Sequence, residues 1–161
     1  MNKTLTTTII FNTLKIAGAA ILSIFFATLL GLEFAVSAGI ITILTIQPTK
    51  RETLQTAAGR CYAFIAALAI AFTSFTLFGY TLTAFMIYLF FFILCCQLFG
   101  WYSSMAMNSV LISHFLTFGN MNLTSILNEI FIFTIGVGIG IIANLHLRKN
   151  ADYILKLQQE T

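Results

Sequence analysis

Charge is what this chain has least of. Of its 161 residues only 8% are Asp, Glu, Lys or Arg, against roughly 25% in a soluble domain. The scarcity is also uneven. From Cys61 to Asn128 there is no acidic or basic residue, and His114 is the one side chain of that stretch of the type that changes charge near neutral pH. No soluble fold of this length has a core large enough to hide so long an uncharged run, so the bilayer is the better solvent. Proline is nearly absent too: Pro48 is the only one, and with ten glycines this excludes a disordered or collagen-like chain. The three cysteines, Cys61, Cys95 and Cys96, show no Cys-x-x-Cys spacing and read as small apolar side chains with free thiols. No nucleotide-binding motif is present, and no Ser/His/Asp or Cys/His set has a workable arrangement, which argues against a membrane enzyme. His114 and His146 are the only histidines, so a metal centre lacks ligands, and no cofactor is expected. The basic residues stand at segment ends rather than in a patch, so no nucleic-acid partner is expected either.

What is present is a series of apolar windows. They predict an all-α, polytopic transmembrane helical bundle of about six spans, at 16–32, 34–47, 61–78, 82–99, 104–118 and 126–147, making 1–149 the transmembrane domain. No small-x-small cleavage site follows the first window, which reads as an uncleaved helix. The second window is short for a crossing and ends at a break marked by Pro48; a re-entrant segment is the competing reading. Between windows two and three, Thr49 to Arg60 carries mixed charge and predicts a short interfacial helix. Gly79-Tyr80, Gly100-Trp101 and Gly119-Asn120 read as turns. Arg148-Lys149 closes the last window, and the tail 150–161 is expected to be cytoplasmic and to begin a helix of its own.

Orientation follows from the basic residues. With the N-terminus inside, all eight lysines and arginines fall in or beside cytoplasmic segments, and the external loops hold Glu33 and none of them. The positive-inside rule therefore favours both termini in the cytoplasm.

Several residues invite a functional reading. Gln47, Pro48, Lys50, Arg51 and Arg60 combine a helix break with positive potential, which would collect anions from the cytoplasm; the plain alternative is that these charges set topology. Asn108 is a polar group in the middle of window five. His114 and Glu129 are candidates for proton coupling, since ionisable groups inside spans are costly without a use. Gly59, Ala63 and Ala67 recur at steps of four in window three. Gly136 and Gly140 form a Gly-x-x-x-Gly face in window six that also carries Glu129, Phe133 and Asn144. Close helix packing through these small residues is expected, and with it a homo-oligomer. Window four, with Phe85, Phe90, Phe91, Phe92 and Phe99, reads as lipid-facing.

The stretch from Ser37 to Thr53, Ser-Ala-Gly-Ile-Ile-Thr-Ile-Leu-Thr-Ile-Gln-Pro-Thr-Lys-Arg-Glu-Thr, with Arg60 after it, resembles the N-terminal membrane domain of bacterial aromatic acid exporters, within the broader fusaric acid resistance-like (FUSC) group. The likeness extends to Ser104–His114, to Asn128-Glu129, to Gly136–Gly140 and to Asn144–Arg148. It implies a six-helix domain in the bacterial cytoplasmic (inner) membrane that exports aromatic carboxylates or related organic anions. Members of this family often carry a cytoplasmic helical domain after the last span. The alternative is therefore a non-transporting scaffold, a partner-binding subunit or a truncated relative.

Overall fold

In hydrocarbon an unmade backbone hydrogen bond has no water to turn to, so apolar windows free of proline close their bonds internally as helices. The computed structural model describes residues 3–47 and 50–159, with side chains over 6–47 and 51–145. Six helices follow one another: α1 (Lys3–Leu29), α2 (Val36–Thr45), α3 (Lys50–Phe78), α4 (Leu82–Phe99), α5 (Met105–Phe118) and α6 (Leu123–Gln159), with a 3₁₀ turn at Tyr102–Ser104 leading into α5. No strand occurs among the described residues. Four of the helices contain stretches long and apolar enough to cross a membrane: Thr6–Leu29, Arg51–Phe78, Leu82–Phe99 and Leu123–Leu145. α2 and α5 are shorter.

The turns form where glycine allows a left-handed backbone. Gly31, at φ 68°, ends α1: its amide bonds to Thr28 O and the Leu32 amide reaches back to Ala27 O at 3.0 Å, a Schellman closure. Thr81 caps α4, its hydroxyl accepting from the Ala84 amide at 3.2 Å.

α2 packs closely on α1 and α6 and touches α5, with Val36, Ile40 and Ile43 left exposed on its outer face. Glycine makes this approach possible. A Cβ at Gly39 would lie 2.7 Å from Ile24, one at Gly136 would lie 2.6 Å from Ile41 Cβ and 2.8 Å from Ala38 O, and one at Gly140 would lie 2.7 Å from Thr45. The core divides in two. One cluster joins Ala38 and Ile41 of α2 to Phe64, Leu111 and Val137. The other joins Ala63, Ala67 and Ala71 of α3 to Tyr88 and Phe92 of α4 and Ile112 of α5. The outer surface is covered by exposed Leu, Ile and Phe, as a lipid-facing surface is.

Some sequence expectations change here. Of the interfacial helix expected at Thr49–Arg60, residues 50–60 are the first part of α3, because neither the change of charge at Arg60 nor Gly59 alone interrupts the hydrogen-bond ladder, and Thr49 lies outside the described residues. Likewise α6 does not stop at Arg148-Lys149 but continues as one helix to Gln159. The small-residue stripes meet partners within the chain: Gly136 and Gly140 take α2, Ala63 and Ala67 take α4 and α5, and Gly59 lies near Trp101. These contacts bury Ala63 and Ala67 fully and leave Gly59 half-buried. Window four is not wholly lipid-facing, since Phe92 is fully buried while Phe90, Phe91 and Phe99 are exposed.

Candidate functional site

Three hydroxyls, Ser37, Thr42 and Thr45, are buried along α2, and polar side chains from the other helices gather around them in three places.

Arg60 sits at the C-terminal end of α2. It is buried, its Nη1 donates to Thr45 Oγ1 at 2.7 Å and its Nη2 donates to Leu44 O. A cation here answers both the unpaired carbonyls of a helix end and the negative pole of its dipole. Beside it Asn144 ties four segments together. Its amide nitrogen donates to Gln47 O at 2.9 Å and to Thr53 Oγ1, and its oxygen accepts from Lys15 Nζ at 2.8 Å. The Gln47 side chain donates to Leu44 O at 3.1 Å. Halfway along α2, Thr42 is hydrogen-bonded to Ser23 and lies 3.0 Å from Gly136 O, which joins α1, α2 and α6.

The N-terminal end of α2 meets an ionisable pair. His114 Nδ1 lies 2.8 Å from Glu129 Oε2, with both side chains buried. His114 Nε2 lies 3.2 Å from Ser37 Oγ. Because a hydroxyl both donates and accepts, Ser37 serves the neutral and the protonated imidazole alike. Asn128 Nδ2 donates to Glu129 Oε1 at 3.1 Å and to Glu33 O at 3.1 Å, while Asn128 Oδ1 accepts from the Glu33 amide at 2.9 Å. Phe34, the one non-glycine residue at positive φ (57°) among those described, stacks on the His114 ring with centroids 4.1 Å apart. Phe118 meets Phe34 edge-on at 5.3 Å. Next to this cluster opens a groove of about 510 Å³, lined by Glu33, Phe118, Asn120, Asn122 and Asn128 among others. Asn128 thus belongs to both the groove and the buried pair. The arrangement can hold a proton on either member of the pair without orphaning a hydrogen-bonding group.

A family model described as aromatic acid exporter family member 1 matches residues 7–147. The chain belongs to the aromatic acid exporter family. It is therefore a multi-pass membrane protein of an exporter family rather than of an enzyme family. Among curated proteins, this member of the aromatic acid exporter family is 34% identical over 152 residues to the uncharacterized protein YqjA of Bacillus subtilis (strain 168). The match covers 92% of this chain and 47% of that protein, so the chain spans about half the length of the relative. No solved structure matches.

The structure brings together His114 with Glu129, and Arg60 with Gln47, at opposite ends of α2. Arg60 is not the open cytoplasmic attractor that its charge suggests, because it is buried against the α2 terminus. Arg51 is exposed at the start of α3. Asn108 is fully buried on α5. Pro48 and the Lys50 side chain lie outside the described residues. Reasoning from the sequence alone missed Phe34, Ser37 and Thr45 as site members. The two hydroxyls look like ordinary helix residues, and nothing local marks Phe34 as a ring that covers His114. Asn128 and Asn144 left a usable signal, since both are polar amides at the ends of an otherwise apolar window.

Proposed function

We propose that the chain is the membrane unit of an exporter that carries aromatic carboxylic acids or related organic anions out of the cell. The observation that carries this reading is the buried His114–Glu129 pair, joined through Asn128 to an open groove. A carboxylate and an imidazole held in the interior of a membrane bundle are costly unless they do work, and proton exchange is the work they suit. The family match supports the substrate class.

In this reading the chain crosses the bacterial cytoplasmic membrane six times with both termini inside. Lys15, Thr53 and Asn144 meet at one end of the bundle, while Glu33, Phe118 and Asn128 gather at the other. Every lysine and arginine then lies at or near the first end, in accord with the positive-inside rule. Gln47 and Arg51 mark a cytoplasmic mouth, to which the sequence adds Pro48 and Lys50, Arg60 and Asn108 lie along the route, and the groove beside Glu33 is the exit. Anions leaving along an inside-negative potential gain ~2.3 kcal/mol per charge per 100 mV, and protons passing inward through His114 and Glu129 add to that. A homo-oligomer fits this scheme only through surfaces other than the occupied glycine and alanine stripes. Because the chain spans 47% of its curated relative, the second reading is a subunit that needs a further domain or partner.

An efflux assay in a strain sensitised to hydroxybenzoate-type acids tests the proposal. The intact chain should protect cells and lower the retained acid, and the Lys50→Ala/Arg51→Ala double variant should raise the internal acid concentration needed for half-maximal efflux. No protection despite good membrane expression rejects autonomous export; protection restored by co-expressing a cytoplasmic partner supports the subunit reading.

A further inference from the structure

Neither polar atom of the Asn108 amide makes a hydrogen bond among the described residues, although the side chain is fully buried. Four residues earlier, at the end of the 3₁₀ turn that leads into α5, Ser104 Oγ is buried and equally unpartnered. Arg60 also keeps an unpartnered buried atom, Nε, while its other two nitrogens hold the end of α2. Both partners of Arg60 are neutral, and no carboxylate pairs with it among the described residues. The elements that carry them pack together: α3 touches both α5 and the 3₁₀ turn, and Ala57 and Phe64, on either side of Arg60, lie in the same core cluster as Met107 and Leu111, on either side of Asn108.

A buried amide with neither end bonded is a cost that leucine, with the same number of side-chain heavy atoms, would avoid. A buried cation without a counter-charge carries a cost of the same kind. We propose that Arg60 Nε, Asn108 and Ser104 form the station at which the exported anion is held inside the bundle. A ligand carboxylate accepts from Arg60 Nε–H and from the Asn108 amide N–H. Asn108 Oδ1 then accepts from a donor that the ligand itself carries, and the Ser104 hydroxyl serves as donor or acceptor. The station therefore prefers a carboxylate that bears a hydroxyl over one that does not. This deepens the exporter reading and rests on it.

Trp101, the only tryptophan, provides the readout. It lies 3.5 Å from where a Cβ on Gly59 would stand, next to Arg60 in sequence. The full chain in nanodiscs is titrated with 4-hydroxybenzoate, benzoate and benzamide while Trp101 fluorescence and the thermal midpoint are followed. Saturable quenching by 4-hydroxybenzoate is expected, about tenfold weaker affinity for benzoate, and no saturation by benzamide. Asn108→Leu should weaken 4-hydroxybenzoate binding about tenfold with its midpoint unchanged or raised, because no internal hydrogen bond is lost. Ser104→Ala, a milder change, should weaken it a few-fold.

Equal affinity in wild type and Asn108→Leu overturns the station. So does a fallen midpoint in Asn108→Leu with binding retained, which makes the amide structural, and so does absence of saturable binding to the wild type. Efflux separates this proposal from the one beneath it. Binding that follows the expected pattern without any efflux by the wild type, alone or with a cytoplasmic partner, refutes the exporter reading and leaves the station standing. Efflux that Asn108→Leu leaves untouched refutes the station and leaves the exporter standing.

Discussion

Glu129 is held at both oxygens: Oε2 faces His114 and Oε1 accepts from Asn128. A glutamine preserves that pattern almost fully, since its oxygen can accept and its amide can donate to a neutral imidazole. A leucine strands the buried His114 Nδ1, whereas Asn128 Nδ2 keeps its bond to Glu33 O. The stranded group costs about 1–3 kcal/mol, so Glu129→Leu should lower the thermal midpoint while Glu129→Gln leaves it near wild type. The two variants should nonetheless fail alike in proton coupling. Acidifying the outside at constant internal pH should speed wild-type efflux and leave Glu129→Gln unresponsive; an undiminished response in that variant removes the pair from the proton path. At this scale the sequence was partly legible. His114 and Glu129 stand out as ionisable residues in apolar windows, but their pairing depends on how α5 and α6 fold back at Gly119. Nothing in the chain near Phe34 announces its stacking on His114, which arises from a positive φ in the turn between α1 and α2.

Among the elements, α2 sets the geometry, and three glycines of α6 show how. Gly136 and Gly140 face α2 at distances that leave no room for a methyl group, whereas a Cβ at Gly138 would meet nothing within 4 Å. Gly136→Ala and Gly140→Ala should each destabilise by about 1–3 kcal/mol through overpacking. Gly138→Ala should be neutral or gain up to ~1 kcal/mol from helix propensity. Thermal unfolding of the three variants in one detergent checks the contrast, and equal midpoints would mean that α2 does not pack on this face. The Gly-x-x-x-Gly spacing made a contact face legible in the sequence, but not its partner. That partner is α2 of the same chain, too short to have been an obvious candidate and placed far away in sequence. The misread interfacial helix has a related cause. Charge tells where water begins, not where a helix ends, and α3 runs through Arg60 without a break.

At the scale of the whole molecule the open question is how a ten-residue helix takes part in a membrane bundle. Ten residues rise ~15 Å, about half of a ~30 Å hydrocarbon core. The backbone beyond α2 is extended at Ile46, which is tolerated at membrane depth only where protein encloses it. Arg60 and Asn144 do that by bonding the carbonyls of Leu44 and Gln47. With those groups satisfied, α2 can complete a crossing that its length alone does not support. The alternative, a re-entrant α2, makes a different map: it turns over α3, α4 and the helices that follow. Six crossings place Gln55 in the cytoplasm and Tyr80 outside, and a re-entrant α2 exchanges them. In a chain with Cys61, Cys95 and Cys96 replaced by alanine, Tyr80→Cys should react with an impermeant maleimide on intact cells, and Gln55→Cys only after permeabilisation. The reverse pattern would also put Lys50, Arg51 and Arg60 on the outer side of the membrane. That would break the charge asymmetry from which the orientation was read, so one labelling experiment tests both the short helix and the positive-inside argument.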